Sequence, residues 1–166
     1  VKALYAAPLL APILALALAA CSPAKAPVPP TYDVAGVKVA GPYSRPAAQG
    51  GNGAGFFSLT NGNTGPDILF SVESPIADHV EIHESSVEGG MMKMQHLERG
   101  VPLRAGETVE FKPGGKHLMF IGLKQALKPG DKIPATFVLE HAGRVPVELT
   151  VQGGAPKGAG MDHSAH

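Results

Sequence analysis

Between residues 33 and 152 the apolar residues never keep a helical register for ten positions; they alternate at period two in short runs. Turn signals divide the runs, among them Asn61-Gly62-Asn63, Gly89-Gly90, Pro113-Gly114-Gly115 and Pro129-Gly130. A chain patterned this way can bury its apolar faces only by pairing short strands. The pattern predicts strands at Val34–Val39, Gly55–Thr60, Ile68–Val72, His79–Glu84, Met91–Leu97, Thr108–Phe111, His117–Gly122, Lys132–Glu140 and Val145–Val151. Gly 21, Pro 16 and no Trp suit such a turn-rich chain. Roughly eight or nine strands in one domain imply an all-β, two-sheet β-sandwich of immunoglobulin-like or cupredoxin-like type.

The N-terminal segment stands apart. Residues 3–20 are uncharged and almost wholly apolar, follow Lys2, and end in Leu18-Ala19-Ala20-Cys21. A basic start, an apolar stretch and small residues before a cysteine resemble a bacterial lipoprotein signal, cut before a Cys that receives a diacylglyceryl thioether. The alternatives are a retained transmembrane helix, for which the run is near minimum length and holds Pro8 and Pro12, and an ordinary secretory signal. The expected organisation is a signal over 1–20, a Pro/Ala-rich tether over 21–32 beginning at lipidated Cys21, a domain over 33–152 and a Gly-rich flexible tail over 153–166. The expected location is the cell envelope or periplasm, lipid-anchored, with Ser22 after the cysteine favouring the outer membrane.

Cys21 is the only cysteine, so a lipidated chain has no disulfide and any metal site must do without thiolate. Charged residues are 17% of the chain and the formal net charge is zero. That excludes the basic footprint of a nucleic-acid binder, and a monomer is expected.

The chemistry is concentrated in the middle. Of five Met residues, four fall between Met91 and Met119, and the same region carries His83, His96 and His117. Strand residues two apart share a face, so His117 and Met119 can converge on one ion while Leu118 and Phe120 point into a core. By the same alternation Val80 and Ile82 face inward and His83 outward, and Met92 and Met94 share a face that Met91 does not. Neutral thioethers are soft and favour Cu(I), and imidazole accepts it too. Ca²⁺ and Mg²⁺ need oxygen ligands, zinc would usually gain a Cys or a carboxylate, and a blue-copper carrier needs a thiolate. Against ligation stand plainer roles: core filling for Met91, solvated histidines at His79, His141 and His96, and a solvated rim at Lys93 and Lys116.

His83, ten residues, Met94, then twenty-two residues, His117, Leu118 and Met119: this order resembles the PCu(A)C periplasmic copper chaperones, whose signature is H-x10-M-x21-H-x-M. The one extra residue falls most simply in Leu97-Glu98-Arg99-Gly100, a turn. Val80-Glu81-Ile82-His83, Met92-Lys93-Met94, Ala105-Gly106-Glu107-Thr108-Val109 and Lys112-Pro113-Gly114-Gly115 resemble the family too, as do Phe56-Phe57-Ser58-Leu59-Thr60-Asn61 and Asp67-Ile68-Leu69 upstream. The resemblance implies a cupredoxin-like domain holding Cu(I) through His83, Met94, His117 and Met119. It also implies delivery to the CuA centre of cytochrome c oxidase (subunit II), or to a Sco-type partner. A passive copper buffer needs the same ligands and stays open. An enzyme is not expected: no Ser-His-Asp or Cys-His arrangement is present, and four filled positions leave none for substrate. Met92 is a possible spare ligand. In the tail, Met161, His163 and His166 could bind copper in either state, including Cu(II).

Overall fold

The computed structural model describes residues 30–153. The expected signal, residues 21–29 of the tether and the tail from residue 154 lie outside them, including Cys21, Met161, His163 and His166.

Among the described residues no helix forms and eleven strands do: β1 Thr31–Val34, β2 Val37–Ser44, β3 Gly53–Asn61, β4 Asp67–Glu73, β5 His79–Glu88, β6 Met91–His96, β7 Val101–Leu103, β8 Thr108–Phe111, β9 Lys116–Ile121, β10 Lys132–Leu139 and β11 Arg144–Val151. The all-β expectation holds, with two corrections to the strands. The run expected as Val34–Val39 is a hairpin, β1 and β2, whose first strand starts inside the stretch read as tether. Ala35 and Gly36 both take positive φ, 51° and 75°, the type I′ geometry that a two-residue hairpin prefers. An alanine there hides the turn from a reading that looks for Asn-Gly or Asp-Gly. The three-residue β7 is too short to show a period.

The hydrogen-bonded path is β6-β5-β9-β8-β3-β2-β11-β10-β4-β7, with β1 on β2. It turns back over one core, as a two-layer cupredoxin-like or immunoglobulin-like sandwich does. Phe57 of β3 stacks on Phe111 of β8 at 4.2 Å and also meets Phe137 of β10 at 4.7 Å, though β3 and β10 are not neighbours in the path. The same core takes Leu59, Leu118, Phe120, Leu149 and Val39, all fully buried. Alternation is clear in β10 and β11, where every second side chain is inside.

Strand β3 sets the position of β9. Its first half pairs with β9 at Gly53–Gly55 and its second half with β8 at Phe57–Thr60. A Cβ at Gly55 would lie 3.0 Å from both Phe120 Cε2 and Leu149 Cδ2, so the backbones approach this closely only because the residue is glycine.

At the far edge, the buried Asp67 side chain ties β4 to the turn after β10. Its Oδ1 accepts from the backbone N–H of Ile68 at 2.8 Å and His141 at 2.9 Å, and its Oδ2 from Ala142 at 3.0 Å. Burial pushes this carboxyl up, but the three N–H donors and the nearby His141 outweigh it and hold it below the usual carboxylate range. A depressed folded value means that the stabilisation is complete above the unfolded value, about 3.9. It is lost as pH falls through the lower folded value. Asp67→Asn should cost about 1–3 kcal/mol at neutral pH and remove this share of the acid-induced loss. Melting curves from pH 7 to pH 2 read both effects, and an unchanged acid limb in the variant would refute them.

Candidate metal centre

Three strands at one end of the path build the site. β5 lies between β6 and β9, and both pairings are antiparallel. The register puts His96 of β6 and His117 of β9 opposite His83 of β5, so three imidazoles form one row on one face. One row along β5, Glu81 lies opposite Met119. One row the other way, Ser85 lies opposite Met94, and two rows away Val87 lies opposite Met92. Residues directly opposite share a face, so His83, Met94, His117 and Met119 are all on the same side, as the alternation predicts. On the other side Ile82, Leu118 and Phe120 are buried in the core.

Two histidines of the row, His83 and His117, are held in defined tautomers. His117 Nδ1 lies 2.9 Å from the Gly115 carbonyl oxygen; a carbonyl only accepts, so Nδ1 carries the proton and Nε2 keeps a lone pair. His83 Nε2 lies 2.6 Å from Glu81 Oε2; an ionised carboxylate only accepts, so Nε2 is the donor and Nδ1 keeps the lone pair. His83 Nδ1 is buried and has no hydrogen-bond partner. Such an orphaned acceptor costs stability unless something occupies it, and a bound cation would. The bond to His83, with a second from His79 at 3.1 Å, also holds the Glu81 carboxyl below its ordinary range. A histidine ligand backed by a carboxylate is a common way to orient a metal site. Glu81 was not singled out from sequence, though the period-two spacing His79, Glu81, His83 carried the signal.

His117 corrects one expectation. It points away from the Leu118 core, yet it is only 6% exposed. The Phe56 ring stands 6.5 Å from it, backed by Tyr43 at 5.1 Å and by the Arg45 guanidinium over its face at 5.3 Å. The side of β9 that carries His117 is therefore flanked by an aromatic shelf from β2 and β3.

The β5–β6 hairpin is the opposite case. All six residues of β6 are exposed, and Met91, Met92 and Met94 are 68%, 73% and 52% exposed. Met91 is therefore not core filling, because β6 projects past the body and has no layer beneath it. Gly89 and Gly90, both at positive φ, form the expected tight turn. Leu97–Gly100 does form a turn, closed by Gly100 N–H on the Leu97 carbonyl. Lys116 pairs with Glu84 at 2.6 Å, and Lys93 with Glu88, which makes both lysines an ion-paired rim. His141 and His79 are largely exposed, although His79 bonds Glu81.

Met94 and Met119 lie on opposite sides of the His83 row, four residues apart along β5, roughly 13 Å of strand rise. Met94 is carried by an exposed strand that is hydrogen-bonded to β5 alone. Among the described residues no three His, Cys, Asp or Glu side chains converge on one point. Thioethers among the donors on this face suit a soft ion.

A family model with the description "Putative lipoprotein LpqE-like" matches residues 37–151. The chain belongs to the LpqE-like family. Among its curated relatives, Lxx21020 of Leifsonia xyli subsp. xyli is 33% identical over 106 residues, 64% of each chain. RP573 of Rickettsia prowazekii is 29% identical over 119 residues, 69% of this chain and 66% of its own. The match thus spans just under two thirds of these relatives' lengths. Among solved structures, the apo PCuAC domain from PmoF1 superposes with a TM-score of 0.61 at 25% identity, over 74% of this chain and 98% of that domain. The Cu(I) form of DR1885 from Deinococcus radiodurans gives 0.52 at 27% identity, over 69% of this chain and 78% of that one. The copper-bound PCuAC domain from PmoF2, at 23% identity and a TM-score of 0.61, shares the fold. The resemblance to PCu(A)C chaperones read from the His and Met spacing is borne out, and this LpqE-like chain carries it on a cupredoxin-like domain.

Proposed function

We propose that this LpqE-like protein is an envelope copper chaperone, not an enzyme, that binds Cu(I) through His83, Met94, His117 and Met119. One observation carries the reading: His83 and His117 stand side by side, ring centroids 5.8 Å apart, each with one nitrogen fixed by Glu81 or Gly115 and the other free. Met94 and Met119 flank this pair on the same face. The signature spacing and the likeness to the PmoF1 domain and to Cu(I)-DR1885 support it. Anchoring through lipidated Cys21 is part of the proposal, supported by the family description.

The chain's own groups do three things. Glu81 and the Gly115 carbonyl present the imidazole lone pairs, the Phe56 shelf excludes water from His117, and the thioethers select the soft ion. Delivery to the CuA centre of cytochrome c oxidase or to a Sco-type protein follows from the family resemblance, and the protein acts as a monomer. The tail residues Met161, His163 and His166 would add a capture arm that also takes Cu(II).

A Cu(I) competition titration tests the reading. One tight Cu(I) per chain should survive replacement of Met161, His163 and His166, and oxidation should give no intense blue band, because the domain has no thiolate. An intense blue band would overturn it. Transfer to an apo oxidase fragment identifies a chaperone; retention in its presence identifies a passive buffer.

A further inference from the structure

Among the described residues five large apolar side chains are exposed, and four of them, Val87, Met91, Met92 and Met94, stand on the β5–β6 hairpin. A thioether packed in a core is shielded from dissolved oxidants, and these three are not. Met94 and Met119 both belong to the donor set proposed above, yet the fold places them differently. Met94 is exposed on β6, a strand hydrogen-bonded to β5 alone. Met119 is partly buried on β9, with Glu81 of β5 opposite it on one side and Ala54 of β3 on the other. A small dissolved oxidant therefore reaches the sulfur of Met94 before that of Met119.

We propose that Met94 is a site of oxidative modification: hydrogen peroxide converts it to methionine sulfoxide when no ion is bound, and the modified chain no longer takes up Cu(I) tightly. The proposal rests on the copper reading above. In the step, a sulfur lone pair of Met94 attacks one peroxide oxygen. The S–O bond forms as the O–O bond breaks, sulfur gives up two electrons, and the other oxygen leaves as water with both peroxide protons. Peroxide and Cu(I) draw on the same sulfur electrons, so a bound ion protects the residue. The product presents a hard sulfoxide oxygen where a soft thioether stood, and the preference for Cu(I) is lost there. Met94 lies opposite Ser85 on an exposed strand, so the added oxygen meets water and the core is untouched. Met91 and Met92, more exposed still, take up oxidant without vacating a position in the four-donor set. Sulfoxide reductases return the thioether, which makes the change reversible.

The test uses the full chain with Met161→Leu, His163→Gln and His166→Gln, so that tail donors do not contribute. Hydrogen peroxide is added at a limiting dose and then removed, oxidised positions are located by peptide mass mapping, and Cu(I) affinity is measured by competition titration. Met91, Met92 and Met94 should each gain one oxygen before Met119 does. Cu(I) affinity should fall by at least the roughly 10-fold that losing even an outer-shell partner costs a metal site, and methionine sulfoxide reductases should restore it. Loading the chain with Ag(I), a soft ion that peroxide does not oxidise, should slow oxygen uptake at Met94 and leave that at Met91 unchanged. Met94→Leu should bind Cu(I) more weakly from the start and lose nothing further at the same dose. Three results would overturn the proposal: earlier oxidation of Met119, oxidation of Met94 at the same rate with and without Ag(I), or a further loss of affinity in treated Met94→Leu. Undiminished Cu(I) affinity in chains that carry the sulfoxide at Met94, with untreated Met94→Leu weakened, overturns it too and leaves the four-donor site standing. If untreated Met94→Leu binds Cu(I) as the parent does, the failure is that of the underlying donor assignment.

Discussion

Met119→Ala is expected to weaken Cu(I) binding far more than the roughly 100-fold upper range seen when only an outer-shell partner is removed, and to leave the fold intact. Met119 faces the site on β9, between the buried Leu118 and Phe120, and is itself only partly buried. Truncating it removes a thioether from the face that carries His83 and His117, opposite the core. His117→Gln should weaken binding comparably, with some loss of stability, because His117 is buried against Phe56. A Cu(I) competition titration reads affinity, and circular dichroism confirms the β fold. Parental affinity in Met119→Ala would show that the ion is not held at this face.

Leu118→Ala should give the opposite result. Leu118 lies between His117 and Met119 in sequence but is fully buried on the other side of β9. Its truncation should cost about 2–5 kcal/mol, the transfer term plus the cavity left among the surrounding core residues. The packing there is tight, since Leu118 Cβ stands 3.3 Å from where a Gly55 Cβ would be, so collapse around the void is limited. Denaturant unfolding measures the loss. The variant that remains folded should still take up one Cu(I) with near-parental affinity. A stability change below about 1 kcal/mol would contradict the burial of Leu118 that turns His117 and Met119 to the opposite face.

The sequence alone determined the β class, most of the strands and the faces of the candidate ligands. Each of these follows from period-two alternation, a local property that survives without knowing which strand pairs with which. The His and Met spacing likewise carried the family, because donor chemistry and order along the chain are written in sequence. The β1–β2 hairpin was hidden by an Ala-Gly turn, and β7 by its length.

Pairing was beyond local pattern. That His96 and His117 flank His83 in one row depends on the registers of β6 and β9 against β5, and a shift of a single residue would have turned every side chain over. The burial of His117 depends on Phe56 arriving from β3, sixty-one positions earlier in the chain. The exposure of Met91 depends on β6 having nothing packed beneath it. Sequence therefore determined which donors exist and which way each faces along its own strand. Only the tertiary structure decided which donors are neighbours, which imidazole nitrogens Glu81 and Gly115 leave free, and which side chains water reaches, because those are properties of pairs that the chain brings together from a distance.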